Sequence, residues 1–370
     1  MTSKTTKTTS TSVELPVFDL SLFLKKDPTA SDDAEVKKTC KEMAKALHET
    51  SILIVKDPRV TTSDSGSFID MMEDYFSQDP KQLQKDVRAD IHYQVGATPE
   101  FIEKAICANA LKCKDLIDEY AVDSKPTLKK DHGADPKWRF FWRIGNRPEK
   151  SEYPELNAKQ VVPQSPQFKD RWANVMNAWG NKMITALSTT AEMIATGFDL
   201  PRDTFVNMMK NGPHLLAPTG SNLGKYDEPE TVFATFHKDL NFLTIHGKSR
   251  YPGLYIWLRD GTKMPVKIPD GCLLVQAGMQ IEHLTGGYVR AGYHEVIATE
   301  ASLAVARRRK AEGRPPWRIS STLFGHIQSD QILRPLGKFG EAPGARLAYP
   351  EIKAGAQVAT VLREIELATK

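Results

Sequence analysis

The sequence changes character at Asn211-Gly212-Pro213, and this change constrains the fold more than any other feature. Beyond it, the apolar residues form short segments separated by glycine and proline, and most neighbouring segments have no helical pattern between them. Such segments favour an antiparallel sandwich or barrel over a Rossmann sheet, and no glycine-rich phosphate loop is present. The segments are Val232–Phe236, Leu243–His246, Leu254–Leu258, Val266–Ile268, Leu273–Gln276, Glu295–Thr299 and Ile319–Phe324.

The regions around this β-rich part carry mostly helical patterns. Residues 13–210 are predicted to be mainly helical and to pack on the core, since apolar residues recur at helical spacing over 33–50, 66–88, 99–120 and 167–196. Within the core region 211–336, the Ala/Arg/Lys-rich residues 300–313 predict a helical insertion. Residues 337–370 predict a C-terminal segment with a closing helix, and the polar residues 1–12 predict a disordered tail. The predicted fold class is α+β, mainly β.

Composition excludes several function classes. The net charge of +4 is too small for the electrostatic footprint of a nucleic-acid binder, and no apolar run is long enough to span a membrane. The four cysteines include no C-x-x-C pair, so we expect them to be reduced and the protein to be cytoplasmic. A small molecule is the expected partner, and the oligomeric state is left open.

Two short motifs predict a metal site. His237 and Asp239 stand two residues apart at the end of a β segment, where alternation turns both side chains to one face. His294, at the start of another β segment, supplies a third ligand. Two imidazoles and one carboxylate occupy one face of an octahedral ion and suit non-haem Fe(II) chemistry with O₂. His283 is a weaker alternative to His294.

The order of motifs around these residues resembles that of a known family. His237-Lys-Asp239, Leu243-Thr244, Pro252-Gly-Leu254, Leu284-Thr-Gly-Gly287, His294-Glu-Val296 and Arg318-Ile-Ser320 follow one another along the chain. The sequence thereby resembles the isopenicillin N synthase-like branch of the Fe(II)/2-oxoglutarate oxygenases, in its fungal natural-product type. The resemblance covers about residues 15 to 336 and departs from the family pattern at Lys238, where Thr or Ser is usual.

This resemblance implies a double-stranded β-helix (jelly-roll) core wrapped by N-terminal helices, with Fe(II) bound by His237, Asp239 and His294. It implies 2-oxoglutarate as cosubstrate, held at its far carboxylate by Arg318 and Ser320, and O₂ as oxidant. Asn222 and Tyr226 lie in a segment that matches a further family motif only in part, and the resemblance adds them to the cosubstrate site. The alternatives to Arg318 are arginines of the predicted insertion and its end, which more often form a solvated face; they are Arg307, Arg308, Arg309 and Arg314.

The implied reaction is oxidation of an unactivated C–H bond by hydroxylation, desaturation or ring closure, while 2-oxoglutarate is decarboxylated to succinate. The alternative is an isopenicillin N synthase-like iron oxidase that uses no 2-oxoglutarate. The last glutamine, Gln357, lies too far from the end for that class. A halogenase and a non-catalytic metal-binding module are disfavoured, because Asp239 and Arg318 are both present.

The substrate is the least determined part of the prediction. Aromatic residues surround two arginines in Trp138–Gly145, and a cation beside aromatic rings suits a carboxylate. Arg143 is the predicted substrate contact, Arg139 is its alternative, and Phe324 is a second predicted contact. An equal alternative is that this segment is a buried β strand. The favoured substrate is an amino acid or another small carboxylate.

Overall fold

The computed structural model describes residues 15–24, 33–104, 106–108, 113–120, 125–127 and 133–367. The predicted disordered tail, 1–12, lies outside the described residues. The helices are α1 (Ala34–Thr50), α2 (Thr62–Phe76), α3 (Pro80–Leu83), α4 (Lys114–Tyr120), α5 (Trp172–Gly197), α6 (Thr204–Met209), α7 (Met279–Leu284), α8 (Glu300–Ala311), α9 (Ala345–Ala348) and α10 (Ala354–Glu364).

The strands are short, and most of them lie beyond residue 211. They are β1 (Val17–Asp19), β2 (Ile52–Lys56), β3 (Gly96–Thr98), β4 (Trp138–Ile144), β5 (His214–Leu216), β6 (Thr219–Asn222), β7 (Val232–Lys238), β8 (Leu243–Gly247), β9 (Leu254–Trp257), β10 (Lys263–Pro265), β11 (Cys272–Ala277), β12 (Tyr293–Ile297), β13 (Trp317–Ile319), β14 (Ser321–Gly325), β15 (Ile332–Leu333) and β16 (Ile352–Lys353).

The strands form a large and a small sheet, with β15 and β16 as a separate pair. The large sheet has ten strands in the order β1-β2-β11-β8-β14-β5-β4-β6-β13, with β3 added beside β4. The small sheet has the order β10-β9-β12-β7. The pairs are antiparallel except for β1 with β2. The chain is therefore a mixed α/β structure with large antiparallel sheets.

Helix α5 supports the large sheet from one side. Its residues recur at helical spacing and bury Trp172, Met176, Trp179 and Met183, and they contact β4, β5, β8 and β14 as well as α1. The Trp179 indole donates a hydrogen bond of 2.7 Å to the Ser321 hydroxyl of β14. This packing fixes the strands that carry part of the site described below.

Local signals explain where several helices begin and end. The Asp33 carboxylate accepts from the Glu35 amide at the start of α1, and the helix ends at Ser51, which has a left-handed φ of 63°. Helix α8 begins with a capping box between Thr299 and Ser302. It lies inside the predicted insertion 300–313.

Three sequence-based expectations about secondary structure and cysteines were wrong. Most of the described part of 99–120 is not regular helix, because only a short 3-10 turn and α4 occur there. Residues 266–268 form no strand, and the edge strand β10 precedes them. Cys107 and Cys113 form a disulfide, with Cα atoms 5.4 Å apart, so proximity in space pairs two of the four cysteines. Cys40 and Cys272 are free and buried.

Among the described residues, no helix is both long and apolar enough to cross a membrane. The cysteine argument for a reducing compartment loses its basis with the disulfide. A cytoplasmic location therefore stays a prediction.

Candidate metal centre

The small sheet brings His237 and His294 side by side. In the register of β7 with β12, His294 stands opposite His237, and the two ring centroids are 4.2 Å apart. Asp239 follows β7 directly, and its Oδ1 lies 3.8 Å from His237 Nε2 and 3.9 Å from His294 Nε2. The ligand atoms of the three residues all lie within 4.8 Å of one another. This set fits a metal ion that is bound on one face.

Neighbouring groups orient the three side chains. His237 Nδ1 lies 2.6 Å from the Thr235 carbonyl, and because a carbonyl only accepts, Nδ1 donates this hydrogen bond, which leaves Nε2 as the ring atom that faces the other ligands. The Thr244 hydroxyl of β8 donates to Asp239 Oδ2 at 2.6 Å. The Gln276 amide of β11 lies 3.0 Å from His294 Nδ1. The large sheet thus supports ligands that the small sheet carries.

The protonation states also suit a cation. Burial would raise the pKa of Asp239, but His294, His237 and the Thr244 hydroxyl outweigh it and lower that pKa below its usual range. Burial, with His237 second, lowers the pKa of His294 to about 3. At neutral pH the site therefore offers an ionised carboxylate and a neutral His294 imidazole.

A cavity of 100 Å³ adjoins all three of these ligands, and we call it the polar cavity. Both sheets line it. Besides His237, Asp239 and His294, its walls include polar side chains from the large sheet and the residue between β13 and β14, namely Thr219, Ser221, His246, Arg318, Ser320 and Thr322.

Arg318 is a buried cation in the wall of the polar cavity. It is 4% exposed, and its Nε donates to the Pro252 carbonyl at 3.2 Å. Pro252 begins the turn that Gly253 completes with a φ of +118°, where a Cβ would clash with the Ile297 carbonyl oxygen. No carboxylate pairs with Arg318 among the described residues. Burial lowers its pKa to about 10, so it stays charged at neutral pH.

Ser320 lines the polar cavity, whereas the four arginines that are alternatives to Arg318 do not. The Ser320 hydroxyl accepts from the Thr219 amide at 3.0 Å, which leaves its own hydrogen free to donate. The alternatives to Arg318 are away from the polar cavity: Arg307 and Arg308 are exposed on α8, while Arg309 and Arg314 form ion pairs with Glu73 and Asp70 of α2. His283 Nε2 donates to the Pro350 carbonyl at 2.8 Å, and His283 is not among the clustered ligands.

Asn222 and Tyr226 are not brought to the polar cavity. The Asn222 side chain accepts from the amides of Gly224 and Lys225 and so caps a turn. The Tyr226 hydroxyl donates to Glu100 at 3.0 Å. Their role in the cosubstrate site therefore stays a prediction that these contacts do not support, and Thr219 and Ser221 of β6 line the cavity.

A second cavity, of 180 Å³, adjoins His237 and Asp239, and we call it the apolar cavity. The residues that line both cavities are Glu103, Arg139, His237, Asp239 and Phe324. The other walls are mainly apolar and come from β4, the region around the disulfide, and the C-terminal residues; they include Phe141, Leu215, Phe236, Met279, Leu362 and Leu367. Phe324 was predicted to contact substrate and lies where it could do so.

Arg143 lies outside both cavities. Its guanidinium donates to the carbonyls of Leu156, Asn146, Asn211 and Gly212 and to the Asn157 side chain. These acceptors lie in the connecting segments beside β4 and β5, so the hydrogen bonds of Arg143 hold those segments against one another. The structure therefore does not place Arg143 where the predicted substrate contact would be, whereas its alternative Arg139 lines both cavities.

Sequence reasoning missed a buried cluster of four charged residues at the edge of both cavities. Lys137 Nζ lies 2.8 Å from Asp135 and 3.1 Å from Glu103, and Glu103 also pairs with Arg139 Nη1. Asp135 in turn accepts from the Thr235 hydroxyl at 2.7 Å. Asp135, Lys137 and Arg139 alternate along the chain, and that period of two in an aromatic stretch was the available signal.

Solved structures share this architecture. A Caulobacter crescentus protein assigned to the 2OG-Fe(II) oxygenase family superposes with a TM-score of 0.70 at 18% identity, over 95% of this chain and 99% of that chain. A full-length Neurospora crassa protein, solved with alpha-KG and thymine, gives 0.70 at 15% identity over 94% and 96%. The chain has the fold of the 2OG-Fe(II) oxygenases.

A plant protein extends the same likeness. A dioxygenase for auxin oxidation from Arabidopsis thaliana, solved with 2-oxoglutarate, superposes with a TM-score of 0.59 at 15% identity, over 89% of this chain and 98% of that chain. Comparison with protein-family models and with curated protein sequences gives no match. What the chain shares with these oxygenases is thus their fold across almost its whole length.

Proposed function

We propose that this protein is a non-haem Fe(II)- and 2-oxoglutarate-dependent oxygenase that oxidises an unactivated C–H bond of a small molecule. The observation that carries the proposal is Arg318, a buried guanidinium with no carboxylate partner among the described residues, which lines the same cavity as His237, Asp239 and His294. A dicarboxylate with a keto group fits this lining, since one carboxylate and the keto oxygen can bind a metal while the other carboxylate meets the guanidinium.

The residues present fit the proposed groups. His237, Asp239 and His294 would hold Fe(II), and two imidazoles with one carboxylate leave positions for cosubstrate and oxygen. Bound there, Fe(II) with 2-oxoglutarate and O₂ supplies the oxidising power for C–H chemistry. Arg318 would bind the far carboxylate, and the free hydrogen of the Ser320 hydroxyl would add a second donor.

The protein's own part in the reaction is positional. Thr235 and Thr244 hold two ligands in fixed orientations, which preserves the geometry of the metal site. Phe324 lies at the boundary of the two cavities, so it would separate the cosubstrate from the substrate. We place the substrate in the apolar cavity, because its walls exclude water beside the ligands.

Finer parts of the proposal rest on the order of sequence motifs. These motifs support the isopenicillin N synthase-like branch, a jelly-roll core formed by the two facing sheets within 211–336, and secondary metabolism as the context. The alternative oxidase without 2-oxoglutarate is less well supported. Gln357 lines neither cavity, and its amide donates to the Leu240 carbonyl.

Anaerobic titration of the metal-free protein with Fe(II) and then 2-oxoglutarate tests the proposal. We expect a weak visible metal-to-ligand charge-transfer band that is absent in His237→Ala and unchanged in the exposed control Arg308→Gln. Absence of the band in the wild-type protein would overturn the proposal. Succinate formed per oxidised product then separates the two oxidase classes, since the alternative releases none.

A further inference from the structure

Arg139 is a buried arginine whose hydrogen bonds are incomplete. It is 8% exposed, and Nη1 pairs with Glu103. Nε and Nη2 have no hydrogen-bond partner among the described residues. Unmet guanidinium donors in a buried position are costly, so native structures rarely leave them without a ligand or water.

The unpartnered atoms form the edge of the guanidinium that binds carboxylates elsewhere in this chain. Arg59 uses Nε and Nη2 to hold the two oxygens of Asp57 at 2.8 and 2.5 Å. Arg88 uses the same edge for Asp90, at 2.8 and 2.6 Å. Among the described arginines, Arg139 is the one in which both edge atoms are buried and unpartnered.

An aromatic ring packs on a face of the Arg139 guanidinium and not on its edge. The guanidinium carbon of Arg139 lies 4.0 Å from the centre of the Phe141 ring, so the ring covers a face of the guanidinium and leaves the in-plane donors. Arg139 lines both cavities, at the boundary that also includes His237. A ligand bound to its edge would lie beside the candidate metal centre.

The rest of the apolar cavity argues against a zwitterionic amino acid. An α-ammonium group needs a free carboxylate, but Glu103 is paired with Lys137 and Arg139, and Asp135 is paired with Lys137. Asp239 is a candidate metal ligand. The remaining walls are mostly aliphatic and aromatic side chains, which suit an uncharged body.

We infer that the substrate is a monocarboxylate with an apolar body, whose carboxylate binds the Nε and Nη2 edge of Arg139. This inference rests on the proposed oxygenase function and narrows its substrate class. It favours a simple carboxylic acid over the amino acid that sequence analysis had preferred. Because Arg139 lines both cavities, a carboxylate of 2-oxoglutarate is the other source of the same chemistry, and the test separates the two.

Isothermal titration calorimetry with matched probes tests the inference. The probes are 3-phenylpropanoate, its primary amide and L-phenylalanine, with octanoate and octanamide as a pair of different shape. Each is titrated into the full-length metal-free protein and into protein loaded anaerobically with Fe(II) and 2-oxoglutarate. We expect at least one acid to bind the wild-type protein roughly 10- to 100-fold more tightly than its amide, and 3-phenylpropanoate to bind more tightly than L-phenylalanine.

The variants assign the effect to the Arg139 edge. Arg139→Gln should abolish the preference for acid over amide, and Arg139→Lys, which keeps the charge but lacks the fork, should reduce it. Arg171→Gln is the matched control, since Arg171 also packs on a ring, that of Phe168, but is half-exposed and outside both cavities. If Arg139→Gln does not fold, Arg139→Lys alone decides.

Several results would overturn the inference. These are equal binding of acids and amides by the wild-type protein, no binding of either, or a preference that survives in both Arg139 variants. A loss of 2-oxoglutarate affinity in these variants, with probe binding unchanged, would assign the edge to the cosubstrate. If the charge-transfer band fails but acids still bind the metal-free protein through Arg139, the oxygenase proposal fails and the carboxylate site remains.

Discussion

Replacing Arg318 by methionine should make the metal-free protein more stable while removing its affinity for 2-oxoglutarate. Burial lowers the pKa of this guanidinium from 12.5 to about 10, and a tenfold change in a protonation equilibrium is worth about 1.4 kcal/mol. Holding Arg318 charged therefore costs the folded protein about 3 kcal/mol at neutral pH. The hydrogen bond from Arg318 to the Pro252 carbonyl offsets about 1 kcal/mol of this cost. Arg318→Met should therefore raise the free energy of unfolding by about 2 kcal/mol.

The effect on cosubstrate binding has the opposite sign. A buried, charge-assisted pair between Arg318 and a carboxylate is expected to contribute about 2 to 4 kcal/mol to binding. Its loss corresponds to roughly 30- to 1000-fold weaker affinity. Stability and affinity are thus predicted to change in opposite directions, which is the pattern of a residue kept for its ligand.

Urea unfolding without 2-oxoglutarate and anaerobic titration with Fe(II) and 2-oxoglutarate measure the two effects. Arg308→Met is the matched control, because Arg308 is largely exposed on α8, and it should change neither quantity appreciably. A less stable Arg318→Met protein with unchanged affinity for 2-oxoglutarate would refute the reasoning, since Arg318 would then be a structural residue.

Three further predictions concern the metal ligands, the cysteines and the buried histidines. Thr244→Val removes the hydroxyl that holds Asp239 and should weaken Fe(II) affinity roughly 10- to 100-fold with the circular dichroism spectrum unchanged; unaltered affinity would count against this role. Thiol titration in denaturant should find two thiols without reductant and four with it, because Cys107 and Cys113 are bonded; four without reductant would contradict the disulfide. Burial lowers the pKa of His214 to about 4, so the folded protein binds a proton at His214 less readily than the unfolded chain does. The free energy of unfolding should therefore fall by up to about 3 kcal/mol as the pH is lowered from 6.5 towards 4. Unfolding free energies that stay constant over that range would contradict this prediction.

The metal ligands could be predicted because their information is local. His237 lies on β7 and Asp239 directly follows that strand, so alternation continued by one residue predicts both side chains on one face. The pairing of β7 with β12 brings His294 opposite His237, and nothing within either segment specifies that register. There the resemblance in motif order supplied what local patterns lack.

Arg139 and Arg143 show where local reasoning ends. Both lie on β4, four residues apart, and alternation assigns them to the same side of the strand. They differ because the end of β4 at Arg143 lies under loops whose carbonyls take up its donors, whereas Arg139 lies beside the cavities. Which loops cover which end of a strand depends on tertiary packing and cannot be obtained from the pattern of the strand.

Arg143 and Arg318 provide a test that separates a structural arginine from a functional one. Burial lowers the pKa of both to about 10, with Arg147 contributing at Arg143, so their lowered pKa alone would suggest equal roles. Within the described part of the chain, the Arg318 side chain has a single hydrogen bond, to Pro252, whereas Arg143 donates to four carbonyls and one side-chain amide.

Removing Arg143 takes a donor from the carbonyls of the buried residues Leu156 and Gly212, of which Gly212 keeps the His214 amide as a donor, and an unmet buried acceptor costs about 1 to 3 kcal/mol. Arg143→Met should therefore lower the unfolding free energy by about 1 to 3 kcal/mol, while the folded fraction keeps its affinity for 2-oxoglutarate and for the carboxylate probes. Arg318→Met should do the reverse in both respects. If both variants destabilise the protein to the same extent, the number of satisfied donors does not distinguish the roles of buried arginines in this fold.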